Sequence, residues 1–535
     1  MRFLLSWLVC CCVVAGRAQV PAAPPDSTKR LEILKADRYN FEKKDSINSF
    51  LSLAGNVALR QQGTLFYADS AVLNQLTNVV EAFGKIHIND GDSLHTYSRY
   101  LRYKGNEKLA YLKDQVQLRD NKGSVLTTSE LNYDMNIGIA EYTKGGKVVN
   151  KKTTLTSKRG KYYDATRDVV FSNDVVLIDP ENKMYTDSLQ YSAKDEIATF
   201  IAPTRIINGK RKILTRSGYY DLKNSKAVFA ERPSIVDSTY TIDANDMAFD
   251  DKEGLAQFKG NVVYIDTANG VSVLSDQLFA NKRTSSFLAT EKPLLILKQD
   301  EDSVFIVADT LFSGKISEQK NKYIPWLTDT TAKGWKAPDL KGKDSSMNRF
   351  FEAWHHVRIF SDSVQAVADS LFYAGTDSVF RLFRDPIVWS SDSQITADTM
   401  YLFTKNKKAD QLRAFYNGFI INRTKEGAYN QVKGNTVNAW FKEGAIDYVR
   451  AKGRAESVYY AQDENERYVG LNRSSADAID MFFENKKAKK VKFINDLKGT
   501  TYPIRQIPPD TDRLRGFSWQ EELRPKSKVA LLGSL

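Results

Sequence analysis

The groups in this chain with the clearest capacity for chemistry are four histidines and a recurrent set of aspartates. His87 and His95 flank the Asn89–Gly91 turn, so a hairpin there brings two imidazoles toward each other. Two imidazoles begin a metal site, but a site needs three or four ligands, and no supporting constellation accompanies this pair. His355 and His356 are adjacent; on a strand they point to opposite faces and do not chelate one ion. The aspartates are Asp69, Asp187, Asp276, Asp309, Asp369 and Asp398. Acids on a repetitive β scaffold can serve glycoside cleavage. Here they recur at equivalent positions of successive repeats, which points to hydrogen bonding in a bend. The chain has no Gly-x-Ser-x-Gly elbow, no P-loop and no His-Glu-x-x-His. The expectation is a non-enzyme, with no catalytic residue, metal ligand or cofactor.

The elements that carry these residues form a repeat. Gly55-Asn56-Val57, Gly84-Lys85-Ile86, Asp114-Gln115-Val116, Gly146-Lys147-Val148 and Asn173-Asp174-Val175 follow one another at steps of 29, 30, 32 and 27 residues. Related starts stand at Arg232-Pro233, Gly260-Asn261, Lys292-Pro293 and Asp385-Pro386. The aspartates form a second marker half a repeat away. From Asp309 to Asp369 the step is 60, as if one unit were disguised or replaced. A fixed period in this range means a solenoid, propeller or array. Apolar and polar residues alternate in short runs, the strand period. Each repeat reads as two long strands with a turn-prone residue near the middle. Gly there permits a bend, and Pro203, Pro233, Pro293 and Pro386 oppose a straight, fully paired strand. A strand bent at its centre lays its halves on two facing sheets. The fold class expected is therefore all-β: a solenoid of bent, antiparallel strands around an apolar interior. Residues predicted to line that interior are Val57, Leu59, Ile86, Ile88, Val116, Leu118, Val175, Leu177, Val262 and Tyr264.

Residues 1–18 read as a signal peptide: Arg2, an apolar run from Phe3 to Ala15, and a small-residue end at Gly16-Arg17-Ala18. Cys10, Cys11 and Cys12 are the only cysteines and lie inside it, so the mature chain has no disulfide. Residues 19–30 read as a flexible lead-in, 31–313 as the regular repeats and 314–348 as an inserted loop. Residues 349–500 continue the repeats less regularly, and 501–535 form a Pro-containing tail expected to lie unpacked. The net charge is +12. From Tyr401 to Leu535, 25 Lys+Arg face 16 Asp+Glu, a difference of +9. Such a surface attracts anions, and export argues against nucleic acid.

The bent-strand repeat resembles the OstA/LptA family of lipopolysaccharide-transport proteins, and most closely its long OstA-like form of the Bacteroidetes type. The residues that carry the resemblance are Ala54-Gly55-Asn56-Val57, Phe66-Tyr67-Ala68-Asp69-Ser70, Ala82-Phe83-Gly84-Lys85-Ile86 and Phe258-Lys259-Gly260-Asn261-Val262. The resemblance implies a β-jelly-roll, or β-taco, fold and a periplasmic protein of outer-membrane assembly, with association at the outer membrane as a further option for its place. It implies that lipopolysaccharide acyl chains sit in the apolar groove. It also implies partners: other β-taco proteins of a transport bridge or an outer-membrane barrel, docked end to end by strand addition, and self-association. The chain is longer than the short bridge protein of that family and lacks the residues for a large C-terminal barrel. The alternative is a non-catalytic structural β-solenoid scaffold with a solid core.

Overall fold

The computed structural model describes residues 30–45, 49–91, 94–298, 303–318, 348–405, 408–424, 426–463, 465, 467–485 and 487–532. The expected signal peptide, nearly all of the lead-in and most of the 314–348 insertion lie outside them. The chain divides into two compact units, Met1–Asp174 and Val175–Leu535. Forty antiparallel strands dominate the described residues, and helix is confined to short pieces such as Lys528–Leu532. The fold is all-β.

In the first unit, Ser49–Gln61, Thr64–Asn74, Val79–Asp90, Leu94–Lys104, Leu109–Asp120 and Val125–Asp134 each pair with the next. The register skips at the middle of each pair. Ala54 lies opposite Ser70 and Val57 opposite Ala68, so Gly55 and Asn56 face Asp69 alone. Such a two-against-one bulge bends a strand. The bend comes from left-handed backbone. Gly55 and Asn56 have φ of 79° and 46°, and Asp114 and Gln115 have 62° and 54°. Side chains outside the bulge keep one phase through it, because two residues restore the alternation. Val80, Ala82, Ile86 and Ile88 are buried on one strand, and Ala110, Leu112, Val116 and Leu118 on another. The two halves of the sheet face each other: the rings of Phe66 and Tyr103, on opposite halves, are 4.8 Å apart.

The second unit is built the same way. Left-handed pairs occur at Glu231–Arg232, Gly260–Asn261, Glu291–Lys292, His355–His356, Arg384–Asp385 and Tyr416–Asn417. Pro233, Pro293 and Pro386 directly follow such pairs and interrupt the strand there. The step of 60 conceals no missing repeat. Thr310–Lys315 pairs with Arg349–Phe360, from Thr310 opposite Trp354 to Lys315 opposite Arg349. The additional residues lie within one hairpin.

One hydrogen bond recurs at the corners. The N–H of Asp37 donates to the carbonyl of Gly55 (2.9 Å), Asn245 to Gly260 (2.9 Å), Asp276 to Glu291 (2.9 Å), Asp309 to His355 (3.1 Å) and Asp398 to Tyr416 (3.2 Å). The acceptor is each time the first residue of a left-handed pair. The two sequence markers are thus the two sides of one corner.

The Pro-containing tail packs, against the expectation that it would not. It crosses the outer face of the second unit, and buried glutamines clamp it. Gln431 Nε2 donates to the Asp512 carbonyl and its Oε1 accepts from Leu514 N–H, at 2.7 and 2.8 Å. Gln394 does the same with Ser518 and Gln520, both at 2.7 Å. Each side-chain amide imitates a strand's backbone, so a chain without a regular ladder is still satisfied. Leu514 packs with Phe419, Ile421, Val458 and Leu471, and Leu531 with Leu294 and Val307. The apolar outer face beneath supplies the driving force that the tail's own composition does not advertise.

Two outcomes follow. Gly84 has φ of 95°, and a Cβ there would overlap the Asp69 carboxylate. Gly84→Val is expected to cost about 1–3 kcal/mol, whereas Gly63→Ala, with open space around it, leaves the thermal midpoint within about a degree or raises it slightly. Leu514→Ala is expected to cost about 2–5 kcal/mol and to speed trypsin cleavage at Arg513 and Arg515; unchanged cleavage would show that the tail is held by other means.

Candidate functional site

The ten residues predicted to point inward fall on two kinds of row across the facing half-sheets. Val57, Ile86, Val116 and Val262 stand beside the corner, opposite Ala68, Ser98, Thr128 and Ser275. Leu59, Ile88 and Leu118 stand further out. The pairings Leu59–Phe66–Ile88–Thr96–Leu118–Leu126–Val148–Leu155 make that row continuous through the first unit. In the second unit the equivalent row runs Met184–Ile206–Ile213–Ile235–Ile242–Tyr264–Val273–Leu295. Nine of the ten, Val175 and Leu177 included, are no more than 5% exposed. Tyr264 differs: it is half-buried, and burial beside Asp266 pushes its phenol well above the usual range.

The facing row contains residues that the alternation argument did not single out. Tyr103, Tyr133, Tyr162, Tyr191 and Tyr220 recur at steps of 30, 29, 29 and 29, and all are buried. Small residues alternate with them. The pairings read Tyr103–Ala110–Tyr133–Ala140–Tyr162 in the first unit and Tyr191–Ala198–Tyr220–Ala227–Phe249 in the second. The hydroxyls reach across the mouth between the half-sheets. Tyr103 donates to Gln61 Oε1, Tyr133 to Asp90 Oδ2 at 3.4 Å, and Tyr220 accepts from Asn182 Nδ2 at 3.1 Å. Burial raises the hydroxyls of Tyr103, Tyr133, Tyr162 and Tyr220, the last to about 12, so they stay protonated at neutral pH. These contacts form a polar seam over an apolar interior. Its sequence signal is the 29–30-residue tyrosine period, which an alternation count overlooks because each tyrosine reads only as a strand residue.

The seam changes at Phe249. This position continues the tyrosine period but lacks the hydroxyl. The next strands bring Ala256 and Ala280 together, opposite each other, before Phe287. Two alanines leave the space that a ring fills elsewhere. A cavity of about 280 Å³ lies there, lined by Ile242, Phe249, Phe258, Tyr264, Leu278 and Phe287 among others. Arg211, Lys282, Arg349 and one carboxylate, Asp251, complete the lining. Arg211 Nε is buried without a hydrogen-bond partner among the described residues, while Arg349 donates to the Ser285 carbonyl at 3.0 Å. A second cavity, about 740 Å³, lies around Ile359, Phe380 and Leu382, with three carboxylates, Asp362, Asp392 and Glu443, and two cations, Lys408 and Arg524, in its lining.

The groups considered for chemistry hold structural partners. Asp69 accepts from Lys85 N–H at 3.0 Å, Asp276 from Asn261 N–H at 3.3 Å and Asp398 from Asn417 Nδ2 at 3.0 Å. Asp187 is exposed on Lys183–Ser192. His355 and His356 sit in a left-handed corner, so strand alternation does not govern them; φ is 58° and 53°. Their Nδ1 atoms turn to different acids, Asp369 at 3.0 Å and Asp309 at 2.9 Å. The His355 hydrogen bond, with Arg384 beside it, holds Asp369 below the usual carboxylate range. His87 Nε2 lies 3.1 Å from His95 Nδ1, and its ring stacks on Tyr97 at 4.6 Å. Burial, and then His95, lower the His87 pKa. Among the described residues, no three His, Cys, Asp or Glu side chains gather to hold a metal, and no helix is long and apolar enough to cross a membrane.

Comparison with curated proteins returns no match. Among solved structures, the crystal structure of LptH from Pseudomonas aeruginosa, described as the LptA-homologous periplasmic component of a lipopolysaccharide transport device, is similar at 11% identity and a TM-score of 0.19. That similarity covers 27% of this chain and 82% of LptH. So low a score leaves the architecture to be read from this chain's own strand pairing. A family model described as OstA-like protein matches residues 28–187 and 172–245, the stretch that holds the first corners and most of the tyrosine seam. Over residues 28–245, less than half of its length, the chain is similar to the OstA-like family.

Proposed function

We propose that this protein binds lipopolysaccharide in the periplasm and carries or bridges it toward the outer membrane, with acyl chains held between the facing half-sheets. The observation that carries the reading is the pair of buried rows, Val57 to Val116 and Leu59 to Leu118, within the OstA-like stretch, apolar but for the hydroxyls of Ser98 and Thr96. Rows without a discrete polar site suit a ligand that advances along them. Each methylene removed from water contributes about 0.8 kcal/mol, so a partly enclosed acyl chain is already held. The chemistry required is burial alone, and the corner acids serve the backbone. Further β-taco domains docked at strand edges are the partners in this reading.

A second reading, a structural scaffold, is favoured by one observation. Nine of the ten interior candidates are no more than 5% exposed and meet other side chains across the sheets. Under the lipid reading the half-sheets part, or the lipid enters where they are already apart.

A photo-crosslinking amino acid at Leu118, which points inward, and at Gln117, which points outward, separates the two. In irradiated cells an adduct with lipopolysaccharide is expected at Leu118 and not at Gln117. A folded, exported protein with no adduct at Leu118, Ile88 or Val57 supports the scaffold.

A further inference from the structure

We infer that the break in the tyrosine seam at Phe249 is a lateral portal, through which an acyl chain carrying an anionic phosphate or carboxylate head enters or leaves the interior. The inference rests on the lipid-binding reading and adds to it a place and a head-group charge. Three independent features coincide there. The position that continues the tyrosine period is Phe249, so it has no hydroxyl to bond across the mouth. The rung beyond it pairs Ala256 with Ala280, which leaves room for an aliphatic chain. The residue at the mouth is Arg211. It lies opposite Asn208, and Asn208 bonds to Asn182, the seam partner of Tyr220. A neutral amide that closes one rung is thus replaced two strands on by a guanidinium whose Nε is buried and unpartnered.

Arg349 and Lys282 join Arg211 in the lining, against the single carboxylate Asp251. Guanidinium groups favour phosphate and carboxylate oxygens through paired, charge-assisted hydrogen bonds. An apolar cavity with that surplus of cations selects an anionic amphiphile over a neutral one. The larger cavity near Ile359 sets three carboxylates, Asp362, Asp392 and Glu443, against two cations, Lys408 and Arg524, a balance less suited to such a head.

Calorimetry on the full mature chain, with dodecyl phosphate and dodecyl maltoside below their micelle thresholds, tests the portal. Dodecyl phosphate is expected to bind at least about tenfold more tightly than the neutral analogue. Ala280→Tyr, which restores a ring to the row, should abolish binding of both. Arg211→Gln with Arg349→Gln should bring the two ligands within about threefold of each other while the apolar cavity remains. Circular dichroism melts confirm folding, and the two arginine changes provide a test that does not depend on Ala280→Tyr folding. Equal affinity for the two ligands, or unchanged binding in the folded variants, overturns the portal. If that happens while Leu118 still crosslinks lipopolysaccharide, the conduit stands without it; loss of the Leu118 adduct as well removes the conduit itself.

Discussion

The structure depends on a backbone hydrogen bond that recurs at its corners. A corner N–H, often an aspartate's, donates to the carbonyl of the left-handed residue facing it, as Asp276 does to Glu291 and Asp309 to His355. Left-handed backbone costs an L-residue roughly 1–2 kcal/mol, and at Glu291–Lys292 and His355–His356 two consecutive residues bear it. Side-chain bonds from the same acids add to the backbone bond, as with Asn417 to Asp398. Neighbouring corners support one another through the ladders, so the strain is held by many strands at once. The result is a fixed bend that places two apolar half-sheets face to face.

Once the bend is fixed, everything on the inner faces follows from register. A two-residue bulge preserves the inside–outside phase, so Ile86 and Ile88 lie on the same side as Val80 and Ala82. The mouth opposite the corner then needs closing, and buried tyrosines bond across it to Gln61, Asp90 and Asn182. Alternation of tyrosine with alanine fills the row without overcrowding it. Where phenylalanine and paired alanines interrupt this alternation, the interior gains a cavity and a guanidinium at its edge.

Much of this was legible in the residues. Gly55-Asn56 and Gly260-Asn261 announced the corners, and period-two runs such as Val116 and Leu118 announced the inner face. The corners at His355–His356 and Tyr416–Asn417 were legible only from their aspartate side, Asp309, Asp369 and Asp398, because neither His-His nor Tyr-Asn is a turn-prone pair and hydrogen bonding in the folded state makes the backbone tolerable. The tail was misread because proline argues against strands, not against packing. The signal lay instead in the surface beneath it: Ile387-Val388-Trp389 and Phe419-Ile420-Ile421 do not alternate, and a strand apolar on both faces is covered on both. The tyrosine seam was legible as a period and was missed because its function belongs to the hydroxyl, not to the ring.

The most direct test of the account is native mass spectrometry of the lipid-free mature chain mixed with purified lipopolysaccharide. The account predicts adducts of whole lipopolysaccharide masses that Ile88→Asp and Val116→Asp lose and that the outward Gln117→Asp retains. A folded wild-type chain that forms no adduct, or adducts indifferent to the inward aspartates, would contradict the claim that the interior holds lipid.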